Sequence, residues 1–460
     1  MELTGTFLVL LEEFRCVFTR PSYVTFVALV AGWCLSHRRR YVTELIWSSG
    51  SIRIGHFCRY HRFFSQSVWE LDTLAWVLAR LLIAIFAPSG VIELALDDTL
   101  CRKRGLTLFG AGMHHDPLIS SRAKPLVSWG HDWVVLTLIV RCPFWAASKV
   151  WSLPIGFRLY RNRQGLTKGK KKRRRDGGKR PRWQKPDASH RTRPELALEL
   201  IRLVSGWFPE RQFVVSADSA YGGRSVLKHL PVNMHFVSHV HPKGALYEPA
   251  PVPEPGQRGR RRKKGKRLPN MAAWATDTSQ PWQRLEFDQF GLHATLDVKT
   301  RQALYYKAGG TRLLTIVLTR DVEGGRPDQM FYATGLNWDA RQILSYYSGR
   351  WSIEVTFENS KQFLGLEQPA NRTPQAVRRT APMALVLYSL VVAWFHRIGH
   401  QYVRFPERPW YPQKSEPSFA DMLTTLRRES WRENFRGVLP RSRRVKNCFA
   451  QLAEFLSLTG

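Results

Sequence analysis

Two short apolar segments of the chain each end in acidic residues. Asp97 and Asp98 follow Leu94–Leu96 in the segment LALDDTL, and Asp218 ends the segment FVVSAD. Both runs predict β-strands that stop at the acids, and the carboxyl ends of neighbouring strands meet at one edge of an α/β sheet. Adjacent residues on a strand face opposite ways, so Asp97 and Asp98 are rival candidates for one site. Either segment could instead carry an acid that caps a turn.

A third acid, Glu354, lies in a segment with helical spacing. Arg350, Glu354 and Lys361 follow Tyr347 at offsets of 3, 7 and 14 residues. On a helix these four residues fall within an arc of about 60°, so a phenol, a guanidinium, a carboxylate and an ammonium group share one face. The same spacing also fits a solvated helix with ion pairs such as Arg350–Glu354.

Two aspartates and a glutamate make a set of hard oxygen ligands. Magnesium prefers such ligands, whereas zinc favours His and Cys, and none of the six cysteines forms a C-x-x-C pair. Two ions about 3.5–4 Å apart activate water and stabilise the leaving oxygen in phosphodiester cleavage. Three acids that converge from distant segments therefore predict a metal-dependent nuclease.

The charge of the chain predicts a polyanionic partner. The formal net charge is +34 and the pI is about 10.5, which favours binding to DNA or RNA. Two runs concentrate this charge: Lys168–Lys185 holds eleven Lys or Arg residues, and Arg258–Arg267 holds eight. Each run could also be a solvated loop with no specific role. The candidate DNA-binding residues in these runs are Lys170, Lys171, Lys172, Arg173, Arg174, Arg175, Arg260, Arg261 and Arg262.

The order of predicted elements is that of an α/β protein with added parts. Residues 1–88 have the apolar spacing of helices, and 270–335 contain short β-type segments. The predicted strands are Val91–Leu96, Trp133–Val140, Val150–Tyr160, Gln212–Ser216 and Met234–Val240, and the predicted helices are 194–207, 336–362 and 376–398. Pro154 weakens the prediction for the third strand.

The motifs resemble those of bacterial insertion-sequence DDE transposases. Tyr347, Arg350, Glu354 and Lys361 match the signature Y-x2-R-x3-E-x6-K of one branch, and DDT and ADSAYGG look like its first and second acidic motifs. The segment SFADMLTTLRRESWRE is also similar to this group, so the resemblance spans about residues 55–435. In the family the first acid directly precedes Thr or Ser, which favours Asp98 over Asp97.

The resemblance implies an RNase H-like α/β catalytic core with a β-rich insertion and an α-helical N-terminal domain. The implied boundaries are 1–88 for a helical DNA-binding domain, 89–245 with 336–400 for the core, 246–335 for the insertion and 401–460 for a C-terminal helical region. Asp98, Asp218 and Glu354 would be the catalytic residues that bind two Mg²⁺ or Mn²⁺ ions. Tyr347, Arg350 and Lys361 would contact phosphates.

The implied activity is cut-and-paste transposition. The enzyme would cleave at transposon ends and join them to target DNA, with terminal inverted repeats and target DNA as partners and a homodimer on paired ends. A catalytically silent DNA-binding protein and an RNA-directed nuclease of the same fold are the alternatives. We expect no membrane association and a cytoplasmic, nucleoid-associated location, because no signal peptide is evident and the apolar runs are short.

Overall fold

The computed structural model describes residues 2–53, 55–121, 123–162, 190–252, 259–289, 292–405, 409, 413–436 and 443–458. Five helices precede the first strand, as predicted for 1–88: α1 Gly5–Glu12, α2 Arg20–Leu35, α3 Val42–Ser49, α4 Cys58–Ser65 and α5 Leu71–Phe86. The elements that follow are β1 Ile92–Arg102, β2 Gly112–His115, β3 Val127–Arg141, β4 Val150–Tyr160, α6 Arg193–Trp207, β5 Phe213–Ala217, α7 Arg224–Leu227 and β6 Met234–His239.

The second half of the described chain contains a β-rich stretch and then helices. The β-rich stretch consists of α8 Met271–Thr276, β7 Gln283–Gln289, β8 Leu292–Ala303, α9 Tyr306–Gly309, β9 Leu314–Asp321 and β10 Gln329–Ala333. The helices are α10 Ala340–Ser348, α11 Ser352–Leu364, α12 Pro374–Arg397, α13 Phe419–Arg436 and α14 Arg443–Leu458.

The described strands form one mixed sheet of ten strands. Its order is β2-β3-β1-β5-β6-β10-β9-β8-β7, and β4 also pairs with β3, further along that strand than β2. β5 and β6 run parallel to β1. β3 is antiparallel both to β1 and to β4. Because β10 pairs with β6, the strands of the predicted β-rich insertion extend the core sheet and do not form a separate one.

β1 is longer than the sequence predicts. The prediction ended the strand at the acid pair, but β1 continues to Arg102 because β3 pairs with it as far as the Arg102–Gly130 pair. The parallel neighbour β5 stops earlier, at the Leu96–Ala217 pair. Asp97 and Asp98 therefore lie where the sheet loses one neighbour, which opens space beside the strand.

β4 has the predicted bounds and includes the proline that weakened the prediction. Pro154 pairs with Thr137 at a shift in register, and β4 pairs only with β3 among the described strands. A proline lacks the amide N–H that a central strand needs, so an edge strand with a bulge accommodates it.

The predicted helix 336–362 is divided into α10 and α11 by a 3₁₀ turn at Gly349–Trp351. Two backbone carbonyls near this turn accept hydrogen bonds from side chains. Arg141 donates to the Ser345 carbonyl at 2.5 Å, and the Ser352 hydroxyl donates to the Gly349 carbonyl at 2.7 Å. Such local competition favours a change from α to 3₁₀ geometry.

The N-terminal helices share their core with the rest of the chain. The Trp33 indole donates to the Leu364 carbonyl in α11 at 2.8 Å, and the Trp394 indole in α12 donates to the Thr6 hydroxyl at 3.0 Å. The start of the chain also meets α13, where the Thr4 amide donates to the Ser430 hydroxyl at 3.0 Å. Residues 1–88 therefore pack against helices that come hundreds of residues later.

α12 lies at the centre of this core. It is the one helix of the described chain that is long and apolar enough to cross a membrane, but 94% of its apolar window is buried within the protein. Its buried face packs on β4, where the Ser389 hydroxyl donates to the Pro154 carbonyl at 3.0 Å. The prediction of a helix for 376–398 is confirmed, and most of α12 is buried.

Candidate active site

One face of the sheet is covered by α10 and α11, and this face carries Asp97. Two contacts fix α10 against the strands. The Ser216 hydroxyl of β5 donates to the Tyr346 carbonyl at 2.7 Å, and Arg141 of β3 bridges Glu93 at 2.7 Å and the Ser345 carbonyl. These contacts bring the 3₁₀ turn and the first turn of α11 over the acid of β1.

Arg350 joins two of the acids on this face. Its Nη1 lies 2.6 Å from Asp97 Oδ2, and its Nη2 lies 3.4 Å from Glu354 Oε1. The side chain of Arg350 is 11% exposed, that of Asp97 is 19% exposed and that of Glu354 is 41% exposed. The guanidinium therefore lies on the floor of the site with Asp97, and Glu354 stands closer to solvent.

Asp218 contributes a third negative charge to the same place. Burial raises the pKa of Asp97 to about 7; the Arg350 charge opposes this shift, and the charges of Asp98 and Asp218 add to it. Burial also raises the pKa of Glu354, with Arg350 opposing and Asp218 adding. Asp218 itself is exposed in the turn after β5. Arg350 thus joins Asp97 and Glu354 directly, and Asp218 lies close enough for its charge to affect the pKa of both acids.

Hydrogen bonds between its own residues stabilise the turn that carries Asp218. The Ser219 amide donates to the Asp218 carboxylate, and the Tyr221 amide donates to the Asp218 carbonyl at 3.0 Å. Gly222 allows a close approach: a Cβ there would lie 2.5 Å from the Tyr332 hydroxyl and 2.7 Å from the Ser238 hydroxyl. Only glycine fits at that contact without movement of its neighbours.

Asp98 faces the opposite side of the sheet. Its Oδ1 accepts a hydrogen bond from the Tyr221 hydroxyl, and its Oδ2 lies 3.5 Å from Arg193 Nε. Asp132 of β3 shares that arginine, at 2.5 Å from Nε, and is 1% exposed. Asp97 therefore shares Arg350 with Glu354, whereas the predicted Asp98 contacts Tyr221 and Arg193.

Tyr347 lies beside the carboxylates, and Lys361 lies further along α11. The Tyr347 ring packs 4.6 Å from His239 and 4.9 Å from Phe331, and the Arg350 guanidinium is 5.7 Å from its centroid. Lys361 Nζ donates to the Leu100 carbonyl of β1 at 2.8 Å. At 1.5 Å per residue, Lys361 lies about 10 Å beyond Glu354 along the helix axis.

The predicted basic residues fall into two groups. Lys170, Lys171, Lys172, Arg173, Arg174 and Arg175 lie outside the described residues. Arg260, Arg261 and Arg262 are exposed, in a segment that the Tyr247–Arg267 bridge joins to the chain before it. Among the described residues, no recorded contact joins these three arginines to the carboxylates.

The ligands present suit a hard divalent cation. Asp97, Asp218 and Glu354 offer oxygen atoms only, and two of them have a pKa raised by burial and by a neighbouring negative charge, which a cation would reverse. Arg350 supplies the positive charge between Asp97 and Glu354 in this structure. Within the described part of the chain, no three His, Cys, Asp or Glu side chains already form a group that could hold a metal ion.

Sequence reasoning missed the residues behind Asp98. Asp132, Arg193 and Tyr221 come from β3, α6 and the Asp218 turn, and no short motif links them. The one available signal was Asp132, an acid directly before the apolar strand segment Trp133–Val140. An unpaired charge at the start of a buried strand is costly, so it indicates a partner elsewhere in the fold.

The large mixed sheet, with acids on its central strands and helices on both faces, agrees with the predicted RNase H-like core of an α/β protein. Residues 13–307 match the family described as DDE superfamily endonuclease. The match covers more than half of the chain, and the chain therefore belongs to this family, as the motifs predicted. The matched region includes Asp97, Asp98 and Asp218 and ends before Glu354.

No curated protein matches the chain. Among solved structures, the fold is similar to a piggyBac transposase in a synaptic complex with hairpin DNA. That similarity has a TM-score of 0.40 and 12% sequence identity, and it covers 95% of this chain and 76% of the other.

Proposed function

We propose that this protein is a DNA transposase that cleaves DNA at transposon ends and transfers the cleaved strand to target DNA. The observation that supports it is the contact of Arg350 with both Asp97 and Glu354, beside a turn whose Asp218 raises the pKa of both acids through its charge. The three acids come from a central strand, a neighbouring turn and a covering helix. Because the chain belongs to the DDE endonuclease family, we interpret them as the catalytic residues.

In this proposal the three acids hold two Mg²⁺ or Mn²⁺ ions, and Asp97 takes the role that the sequence assigned to Asp98. When bound, the ions supply Lewis-acid stabilisation of the phosphate and activation of water. Asp97 binds from the floor of the site because it is the most buried of the acids that face α11. Asp218 and Glu354 close the site from its solvent side.

The neighbouring polar residues position the DNA backbone. Arg350 is fixed by two carboxylates and presents a guanidinium that suits a phosphate oxygen. The Tyr347 ring is held by its aromatic neighbours, so its hydroxyl adds a donor on the same side. Lys361 contacts a phosphate further from the cut. This contact replaces the hydrogen bond that Lys361 donates to the Leu100 carbonyl.

The proposed partners are the terminal inverted repeats of an insertion sequence and its target DNA. Cut-and-paste transposition joins two ends, so we propose a homodimer on the DNA. The excess positive charge supports binding to the phosphate backbone, and the basic runs contribute to it without regard to sequence.

The test is a cleavage assay on a DNA fragment that carries the genomic sequences on both sides of the reading frame, with MgCl₂ or MnCl₂. We expect Asp97→Asn, Asp218→Asn and Glu354→Gln each to lower the cleavage rate by ~10²–10³-fold or more, because each removes charge stabilisation in the transition state. Binding of the same fragment without metal should persist in all three variants.

Glu358→Gln is the matched control, since Glu358 is an exposed acid of the same helix with no recorded contact to the site. The proposal fails if the parent protein binds the fragment but never cuts it, which would indicate a silent DNA-binding protein. Normal cleavage by Asp97→Asn would remove that residue from the site.

A further inference from the structure

A second network of polar side chains, two of them buried and two half-buried, lies behind the proposed active site. It consists of Asp98, Asp132, Arg193 and Tyr221, on the face of the sheet opposite Asp97. We infer that Asp98 is a positioning residue that fixes the Asp218 turn through the hydroxyl group of Tyr221. This inference rests on the proposed function, because it concerns how Asp218 is placed for metal binding.

The connection from Asp98 to Asp218 is short and continuous. The Tyr221 hydroxyl donates to Asp98 Oδ1, and the Tyr221 amide donates to the Asp218 carbonyl at 3.0 Å. Tyr221 is 1% exposed, so its ring cannot swing away without opening the core. One tyrosine therefore joins β1 to the turn that carries the exposed Asp218.

Asp98 is in turn held by Arg193. The guanidinium donates to Asp132 at 2.5 Å, lies 3.5 Å from Asp98 and stacks 4.4 Å from the Tyr160 ring centroid. Arg193 is the first residue of α6, and a capping box fixes that end of the helix: the Thr192 amide donates to Glu195 at 2.7 Å. The cation is thus preorganised by a helix terminus that is independent of the active site.

A structural role alone is a poor explanation for this network. Two carboxylates share one arginine at a site where Asp132 is 1% exposed, and desolvation of such groups offsets much of their attraction. Apolar residues of similar size would stabilise the sheet at least as well. The network instead orients the Tyr221 hydroxyl, because a charged acceptor fixes the direction of its hydrogen bond. Partners behind metal ligands commonly act in this way.

The adjacent acids of the DDT motif therefore have different roles on the two faces of β1. Asp97 binds metal directly, and Asp98 acts on the site through Tyr221 and Asp218. Adjacent strand residues point in opposite directions, so one strand can position both groups. This arrangement makes a specific prediction: removing only the Tyr221 hydroxyl should weaken metal binding, although that hydroxyl lies on the far side of the sheet from Asp97.

The experiment measures Mn²⁺ binding to the full-length protein without DNA, by titration calorimetry at pH 7.5. The variants are Tyr221→Phe, Asp98→Asn, their double mutant and Asp218→Asn. We expect Tyr221→Phe and Asp98→Asn each to raise the Kd for Mn²⁺ by about 10-fold. The double mutant should be no weaker than the worse single mutant, because both changes act on the same hydrogen bond: Tyr221→Phe removes its donor and Asp98→Asn removes the charge of its acceptor.

Tyr60→Phe is the matched control. The Tyr60 hydroxyl is also buried and donates to the Ser51 carbonyl at 3.1 Å, in the N-terminal helices. It should leave the Kd for Mn²⁺ unchanged. A reduced melting temperature in Tyr221→Phe with an unchanged Kd would overturn the inference, and so would a double mutant whose effect is the product of the two single effects.

The Asp218→Asn variant separates this inference from the proposed function. If the parent binds Mn²⁺ and Asp218→Asn does not weaken it, the proposed metal site is wrong and the inference falls with it. If Asp218→Asn weakens binding but Tyr221→Phe does not, only the positioning role fails. A loss in Asp98→Asn as large as in Asp218→Asn, with normal Tyr221→Phe, would make Asp98 a direct ligand and also overturn the inference.

Discussion

At the scale of single residues, the acid pair of β1 faces two different environments. Asp97 meets Arg350 on the face covered by α11, whereas Asp98 meets Tyr221 and Arg193 on the other. The side chain of Asp97 is 19% exposed and that of Asp98 is 30% exposed, and the charge of Asp218 is among the causes that raise the pKa of Asp97. Burial alone therefore does not distinguish the two acids, and the charged side chains that each one contacts do.

Tyr347 offers a test of the proposed phosphate contacts. We expect Tyr347→Phe to keep the melting temperature, because the ring still packs against His239 and Phe331. Loss of a hydroxyl donor to a charged phosphate should weaken binding of cleavable DNA by about 10-fold in a filter-binding assay.

The comparison variant is Tyr347→Ala, which also removes the packing and should cost ~2 kcal/mol or more of unfolding free energy. Equal DNA affinity of Tyr347→Phe and the parent would show that the hydroxyl does not contact phosphate.

At the scale of elements, local hydrophobic patterns predicted most strands and helices. Where the sequence and the structure differ, the pairing between strands determines where an element ends. The apolar run of β4 was long enough to predict its bounds despite Pro154. The continuation of β1 to Arg102 depends on pairing with β3, which no local window contains. The choice between Asp97 and Asp98 is also non-local, because it depends on which face of β1 is covered by α11. The similar family motif favours the acid next to Thr99, and in the structure that acid contacts Tyr221 and Arg193 and not Arg350.

The Asp218 turn provides a prediction at this scale. We expect Gly222→Ala to cost ~1–3 kcal/mol of unfolding free energy and to slow cleavage, because the new Cβ meets the Tyr332 and Ser238 hydroxyls at 2.5 and 2.7 Å. Gly223→Ala should cost less than about 1 kcal/mol, since a Cβ there meets nothing within 4 Å. Chemical denaturation and the cleavage assay measure both effects. Equal stability of the two variants would mean that the turn adjusts freely.

At the scale of the whole molecule, the excess of positive charge bears on the proposed binding to DNA. The net charge of +34 comes from basic residues outside the proposed active site. The exposed Arg260, Arg261 and Arg262 belong to the segment before the strands that extend the sheet beyond β6. Charge in such segments adds affinity through release of counterions and carries no sequence information.

Salt dependence measures this contribution. Replacing Arg260, Arg261 and Arg262 with Ala should reduce the slope of log K against log salt by up to ~2.7, if each arginine neutralises one phosphate. Deletion of Lys168–Lys185 should reduce it further, because that run holds eleven basic residues. The triple Arg→Lys variant keeps the charge and should keep the slope. A slope that the Ala variant leaves unchanged would assign Arg260–Arg262 to a solvated loop without contact to DNA.

The contact between the start of the chain and α13 has a consequence for biosynthesis. The Thr4 amide meets the Ser430 hydroxyl, and the Asn434 side chain donates to the Glu2 carbonyl at 2.7 Å. During translation, the first helices emerge long before α12 and α13 exist to cover them, so their apolar faces stay exposed on the ribosome for most of synthesis. A partner this distant in sequence also slows folding. We therefore expect nascent chains that end before α12 to associate with chaperones.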